Sequence, residues 1–572
     1  MTSWLFPSLR GYRREWLRGD LVAGLTVWAV LVPEALAYAS IAGVSPVVGL
    51  YAAPGALIFY AAFGSSRHLV TGPMSATAAL SAAAVAQYAT AGSGQFTMFT
   101  AALAISAGAV AIVAGLLRLG FLANFISEPV MKGFIVGLAL TIIAGQLPEL
   151  FGVEKGSGDF FQKIWDLITK LGDTHVLTLV VGLGSLAIVF GLRRFAPAVP
   201  GSLVAVLAGV IAVALLHLDK HGVEIVGHID RGLPSLGVPH LSFQDYLRLA
   251  GSGIGVMLVG FAEGLGAAKT YAAQHHYEVD ANRELVGVGA ANVASGLSSG
   301  MVVNGSLSKT AVNGSAGANS QLSGLLVAAL TILTLLLLTG LFEKLPEATL
   351  GAVVIAAVVE LVDVPALRRL YRVYSRRIAR AYGVAGRPDF IGAIAALLGV
   401  TVFDTLPGLF IGIATSLIVL LYWSSRPRVA ELGRVPGTDQ WADVEKHPEN
   451  EILPGVVVVR VDSGLYFANS DWVHTHLRRA AARPGTKAIV LDGGTAPFLD
   501  VTSAEMLGQT ADDLGRRGVR LLLARDIGEV RDVLRRTDVG TQLQRTYPTV
   551  KDAVDAVQAG APRPVSPYAS RP

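Results

Sequence analysis

The sequence predicts an α-helical polytopic membrane domain followed by a small α/β domain. Three observations lead there. Of 572 residues, 52% are hydrophobic and 15% charged, and the mean hydropathy is +0.54, whereas a soluble domain carries roughly 25% charge. The two residue classes are segregated: up to about residue 425 the chain is a series of apolar runs, and beyond about 430 it turns polar. Two glycine-containing stretches too short to cross a bilayer, 70–77 and 303–310, interrupt the apolar half at comparable places.

Composition also excludes classes of function. The net charge of +4 is small and the arginines cluster, so they speak for membrane topology and not for a nucleic-acid partner. No cysteine is present, which removes disulfides, thiolate metal sites and cysteine catalysis. The glycine-rich patches follow no strand into a soluble helix, so no nucleotide cradle is predicted, and no other cofactor or metal.

Residues 1–20 read as an interfacial cytoplasmic segment, with Trp4, Trp16 and Arg10, Arg13, Arg14 and Arg18. The first apolar run starts near Leu21 without a cleavage pattern behind it, so it reads as a retained span. Spans are predicted near 21–40, 46–63, 98–118, 129–148, 175–191 and 198–216. Leu69, Val70 and Thr71 form an extended piece, broken by Gly72-Pro73 and followed by a short small-residue helix through Ala86. A polar stretch at 218–246, including His228, Asp230 and Arg231, separates the halves. The second half has runs near 247–270, 285–302, 306–316, 321–341, 346–361, 389–404 and 406–423.

The predicted transmembrane domain is therefore 21–425, with repeats at 21–217 and 247–425 and about fourteen spans, seven per half, each of the long ones matching a bilayer's thickness. An odd number per half makes the second repeat inverted. Val70-Thr71-Gly72-Pro73-Met74-Ser75-Ala76-Thr77 aligns with Val303-Asn304-Gly305-Ser306-Leu307-Ser308-Lys309-Thr310. Paired, interrupted short segments in two halves point to a transporter's midplane site. A helix N-terminus offers free N–H donors and partial positive charge to an anion, and Lys309 adds a full charge. Against this stands a plainer possibility, a polar turn with a snorkelling lysine. Arg368, Arg369, Arg372, Arg376, Arg377, Arg380 and Arg387, with Arg426 and Arg428, place both termini in the cytoplasm of a cell-membrane protein.

Two carboxylates lie deep in apolar runs, Glu34 after Pro33 in the first span and Glu263 in the eighth. These are the first spans of their halves, and an ionisable group in a span is a functional hypothesis by default. A proton-coupling role is expected for Glu263. The structural alternative is an ion pair of Glu263 with Lys309 or Lys269, and for Glu34 the satisfaction of backbone freed by Pro33. Glu128 and Lys132 suit an interfacial i, i+4 pair, and Glu360 and Asp363 suit a helix end. His275 and His276, with Glu278 and Asp280, suit a solvated loop better than a metal site.

These motifs resemble the SulP family of sulfate permeases. The resemblance rests on Ala23-Gly24-Leu25-Thr26-Val27 with Val32-Pro33-Glu34-Ala35-Leu36-Ala37-Tyr38-Ala39, and on Gly49-Leu50-Tyr51, Phe63-Gly64-Ser65-Ser66-Arg67 and Gly72-Pro73. Pro129-Val130-Met131-Lys132-Gly133-Phe134 and Ser308-Lys309-Thr310-Ala311-Val312-Asn313 add to it. It implies fourteen helices in two inverted sevens, a uracil-permease-like core and gate, and commonly a homodimer. It also implies secondary transport of a small inorganic or carboxylate anion (sulfate, bicarbonate or dicarboxylate), here with protons as the coupling ion. Carried over, the substrate contacts are Glu34, Pro73, Met74, Ser75, Ala76, Thr77, Gly305, Ser306, Leu307, Ser308, Lys309 and Thr310, with Glu263 for coupling. The family often has Gln at the position of Glu34 and Arg at that of Lys309. Lys replaces a planar fork by a point charge, which bears on which anion is held. An uncoupled channel or exchanger on the same fold is the alternative, and a membrane-anchored signalling protein a more distant one.

After a linker at 426–452, residues 453–560 alternate strands and helices in a βαβ pattern. This part resembles the STAS domain that closes most such chains. Asp500-Val501-Thr502 sits where relatives carry a phosphorylated hydroxyl, so Thr502 and Ser503 are candidate regulatory phosphosites, with an N-cap as the plainer role. The tail 561–572 is expected to be disordered.

Overall fold

Bilayer thickness sets the helix lengths. The computed structural model describes the chain apart from residues 1–4, 122–127, 157, 197–198, 228–231, 360–361, 363–364, 366–367, 369–386, 404, 538–542, 544–545 and 560–572. Outside the described residues lie Arg369, Arg372, Arg376, Arg377 and Arg380, Glu360 and Asp363, His228, Asp230 and Arg231, and the tail. Two units are distinguished, Met1–Leu417 and Ile418–Pro572.

In the first unit the helices are α1 (Leu17–Ile41), α2 (Pro46–Phe63), α3 (Ser75–Val85), α4 (Gly94–Leu116), α5 (Glu128–Phe151), α6 (Phe160–Thr169), α7 (Val176–Phe195) and α8 (Gly201–Leu216). Then come α9 (Phe243–Gln274), α10 (Ala281–Leu297), α11 (Leu307–Ser315) and α12 (Leu322–Phe342). The last are α13 (Glu347–Val359), α14 (Arg387–Phe403) and α15 (Thr405–Ser425), which runs across the boundary between the units. Among the described residues, seven helices are long and apolar enough to cross a membrane and five more are apolar but shorter. Two short strands, β1 (Val70–Gly72) and β2 (Asn304–Ser306), lie buried among them.

Helix α10 starts four positions before the expected run at 285, because Asp280 caps it by accepting from the amides of Asn282 and Arg283. The chain then leaves the helix for the extended stretch that becomes β2. Helices α4 and α10 pack closely because each offers a glycine to the other. A Cβ on Gly108 would lie 2.6 Å from the Gly289 carbonyl oxygen, and one on Gly289 2.7 Å from that of Gly108. Small residues that let backbones approach are the usual glue of membrane helices. Helix α6 was not foreseen as an element. Glu128 and Lys132 form the expected i, i+4 pair at 2.5 Å.

The second unit holds a six-stranded sheet of order β4-β3-β5-β6-β7-β8. The strands are β3 (Val429–Arg434), β4 (Trp441–Asp443), β5 (Val456–Val461), β6 (Ala488–Asp492), β7 (Arg520–Ala524) and β8 (Thr546–Tyr547). Strands β5 to β8 are parallel, and β3 is antiparallel to both β4 and β5. Helices α16 (Ser470–Ala481), α17 (Val501–Arg516), α18 (Gly528–Arg536) and α19 (Val550–Gln558) join and follow them, and apolar cores form from both faces of the sheet. The segment expected to be a linker, 426–452, thus contributes two strands, and the sheet begins at Val429. In β3 the half-buried positions include Glu431 and Arg434, and β4 is only three residues long, Trp441-Ala442-Asp443, which hides both in a search for apolar runs.

Candidate functional site

The two interrupted segments meet. Strands β1 and β2 pair antiparallel, with Val70 opposite Ser306, Thr71 opposite Gly305 and Gly72 opposite Asn304. Helix α3 begins three residues after β1 and α11 directly after β2. The two helices therefore leave one ribbon in opposite senses, and the positive ends of their dipoles flank it. The amide of Val70 donates to Thr310 Oγ1 at 3.1 Å, tying the start of β1 to α11.

Neighbouring side chains hold the ribbon. Asn292 accepts from the Val303 amide at 3.0 Å and donates to its carbonyl at 2.8 Å. Gln321 Nε2 donates to the carbonyls of Ser66 and Leu69 at 3.0 and 2.9 Å, and Asn313 Nδ2 to that of His68 at 2.9 Å. Two buried carboxylates fasten the ends. Glu284 Oε1 accepts from the amides of Ser65 and Ser66 at 2.7 and 3.0 Å and from Ser65 Oγ at 2.7 Å, while Oε2 accepts from Tyr60 at 2.7 Å. Asp20 accepts from the amides of Asn319 and Ser320 at 2.7 and 3.1 Å and from Ser320 Oγ at 2.7 Å. His68 and His275 stack at 4.2 Å. Among the described residues no cluster of His, Asp and Glu is arranged to hold a metal ion.

Lys309 projects from the first turn of α11 and is 1% exposed. Its Nζ lies 2.6 Å from Glu34 Oε2, donates to the Pro73 carbonyl at 3.2 Å, and sits 5.0 Å from the centre of the Tyr38 ring. Glu34 and Tyr38 are one turn apart on α1, so that helix supplies a carboxylate and an aromatic face to the same cation. The ion pair joins α1, α11 and the β1–α3 junction. Lys309 is buried and does not reach out to water as a snorkelling lysine would, and its carboxylate partner is Glu34 and not Glu263.

The remaining predicted residues fall around this pair. Pro73, Met74, Ser75, Ala76 and Thr77 are buried. The N-cap of α3, Met74, offers its first turn no side-chain acceptor, so that turn is uncapped. Gly305 is buried in the ribbon. Ser306 caps α11, its Oγ accepting from the Lys309 amide at 3.3 Å. Thr310 is buried, whereas Leu307 and Ser308 are exposed, leaving the start of α11 the more open of the two helix ends. Glu263 is half-buried in the middle of α9, within the field of Lys309. Helix α9 lies against β2 through Asn304 Nδ2, which donates to the Gly260 carbonyl. A Cβ on Gly264 would meet Asn304 Oδ1 and Gly305 Cα at 3.3 Å, so Gly260 and Gly264 give the ribbon room beside Glu263. Asn304 Oδ1 is buried without a partner.

In the second unit, Asp500 caps α17 by accepting from the Ser503 amide at 2.8 Å. Thr502 is exposed on the first turn, and Ser503 is fully buried with an unpartnered Oγ. The cap therefore belongs to Asp500.

Tyr38, Asn304, Glu284 and Asp20 were not singled out from sequence. Tyr38 was visible one turn after Glu34, and Asn304 immediately before Gly305. Glu284 and Asp20 sit at helix starts, where acids are ordinary, and nothing local marks their distant amide partners.

Long apolar helices, interrupted at matching places by short segments that lead into helix N-termini beside buried ionisable groups, make the architecture of a membrane transporter. The chain belongs to the sulfate permease family, which residues 17–377 match, and residues 447–553 match the STAS domain. A probable sulfate transporter of Mycobacterium tuberculosis strain H37Rv is 37% identical over 530 residues, 92% of each chain. High affinity sulfate transporter 1 of Stylosanthes hamata is 30% identical over 553 residues, 91% of this chain and 81% of that one. The fold matches the murine Slc26a9 anion transporter in the inward-facing state with a TM-score of 0.86 at 22% identity, covering 97% of this chain and 94% of that one. It matches the transmembrane domain of a cyanobacterium bicarbonate transporter, BicA, with a TM-score of 0.60 at 23% identity, over 71% and 98%. The family is one of membrane transporters and not of enzymes.

Proposed function

We propose that the protein is a proton-coupled secondary transporter of a small anion, with sulfate the first candidate and bicarbonate and dicarboxylates in the same class. One observation carries this reading: a buried lysine at the junction of two opposed helix N-termini, neutralised by Glu34. In a low-dielectric interior a cation costs heavily unless paired. Glu34 pairs it in the structure. An arriving anion takes that place, helped by the uncapped first turn of α3 and the open start of α11. Glu34 then turns away or accepts a proton, and Glu263, within reach of the same field, is the second carboxylate whose proton balances the transported charge. Loading and unloading of charge at one locus suits alternating access between two halves.

The antiparallel ribbon supports an inverted repeat of seven elements per half, fourteen in all, because each half contributes one strand and one short helix in opposite sense. Arginine distribution supports cytoplasmic termini in the cell membrane. The relatives' dominance by sulfate transporters supports sulfate as first candidate.

Uptake of radiolabelled sulfate into proteoliposomes with an imposed pH gradient tests the function. Accumulation above equilibrium that a protonophore collapses is the expected result. Uptake indifferent to the gradient and to the protonophore overturns proton coupling, and absence of uptake for sulfate, bicarbonate and dicarboxylates alike overturns the substrate class.

A further inference from the structure

We propose that α6 lies in the plane of the membrane interface, with the bilayer as the partner of its exposed apolar face. The helix has ten residues, Phe160–Thr169, far short of a span. At about 100° of turn per residue it presents three faces. Phe161, Trp165 and Ile168 form one stripe and are 56, 66 and 52% exposed. Leu167 is buried and Ile164 half-buried on a second face, where the helix packs against α5 and α14. Gln162 is exposed and Asp166 half-buried on a third, polar face. A helix on a soluble surface needs a protein face and a water face; a third, exposed and aromatic, face is what an in-plane interfacial helix turns toward acyl chains. Trp is the residue type that settles at the headgroup level.

Continuity with the lipid-facing surface names the occupant. Exposed apolar residues follow along the chain, Leu171 in the connection and Val176, Val180 and Leu183 of α7, which are 44, 68, 61 and 53% exposed. Helix α7 is long and apolar enough to cross a membrane, and most of its surface is left open by the protein. The bilayer that must cover α7 therefore reaches the end of that helix, where the chain turns through residues 170–175 into α6. The opposite side of α6 has a different task. Lys163 helps line a cavity of about 370 Å³ walled by the alanine face of α3 and by α5, where Gln146 Oε1 is buried without a partner. The depth at which lipid holds α6 thus fixes one wall of that cavity.

The chain has no cysteine, so nitroxide labels can be placed singly in the full-length protein, reconstituted in phosphatidylcholine–phosphatidylglycerol vesicles. Labels on Phe161→Cys, Trp165→Cys and Ile168→Cys are expected to collide freely with oxygen and to be shielded from a water-soluble nickel complex, at a depth of about 5–10 Å. Labels on Gln162→Cys and Asp166→Cys are expected to show the reverse. Equal nickel access on both faces overturns the proposal. So does shielding of the apolar stripe from both reagents, which would place a protein surface, such as a second copy, against it.

Discussion

Replacing Glu34 by Gln is expected to tighten anion binding while loosening the empty protein. In the structure Glu34 Oε2 holds Lys309 Nζ at 2.6 Å, with 7% of Glu34 and 1% of Lys309 exposed. An anion reaching Lys309 comes within about 5 Å of that carboxylate, and at an effective dielectric of about 20 the repulsion is about 3 kcal/mol. Glutamine keeps the shape and removes the charge. A gain of about 2–4 kcal/mol in binding corresponds to a roughly 30- to 700-fold lower Kd. The same change leaves the buried ammonium without its counter-ion, and breaking a buried pair costs about 3–5 kcal/mol, so the ligand-free Tm should fall. Sulfate should restore it, because the anion now supplies the missing charge. Calorimetric titration and thermal unfolding with and without sulfate, in detergent, measure both effects. Unchanged or weaker sulfate affinity, with a Tm loss that sulfate does not repair, would refute the idea that Glu34 stands in for the substrate.

Glu263→Gln is expected to abolish concentrative sulfate uptake while leaving equilibrium binding within a few-fold; a variant that still concentrates sulfate under a pH gradient removes Glu263 from the coupling role. Glu284→Ala strips acceptors from the amides of Ser65 and Ser66 and from Tyr60, an expected loss of about 3–5 kcal/mol from charge-assisted bonds at a buried site. A Tm shift no larger than that of a surface control would show the clamp to be dispensable. At the ribbon the two glycines should differ. A Cβ on Gly305 would meet Leu69 Cδ2 at 2.7 Å, but one on Gly72 meets only Leu31 Cδ1 at 3.5 Å. Gly305→Ala should therefore cost about 1–3 kcal/mol and impair sulfate binding, with Gly72→Ala near neutral in both; equal effects in calorimetry and unfolding would contradict the packing argument.

The membrane helices were legible because their signal is length and apolarity, which survive without knowledge of neighbours. The paired short segments were legible because polar, glycine-bearing breaks stand out against such runs. What lay beyond the sequence was long-range geometry. That Lys309 meets Glu34, and not Glu263, depends on how the ribbon sets α11 against α1. The anchors Glu284 and Asp20 act on amides far away in the chain. Helix α6 escaped because ten amphipathic residues resemble neither a span nor a turn. Strands β3 and β4 escaped because they carry charge, here Glu431, Arg434 and Asp443, where β5 opens on a run of four valines. For Lys309, Glu284 and Asp20 a distant partner, and not the local segment, decided the structure.

The β1–β2 ribbon has one more consequence. Its register is written in main-chain hydrogen bonds, which every residue type but proline can make. The pairing that aims two helix ends at a common point does not itself run through the side chains of Glu34 and Lys309, which lie outside the paired positions. Selection can exchange those side chains, swapping a point charge for a fork or a carboxylate for an amide, and change the cargo without dismantling the holder. A lineage carrying such a frame can diversify in what it moves far faster than in how it is built.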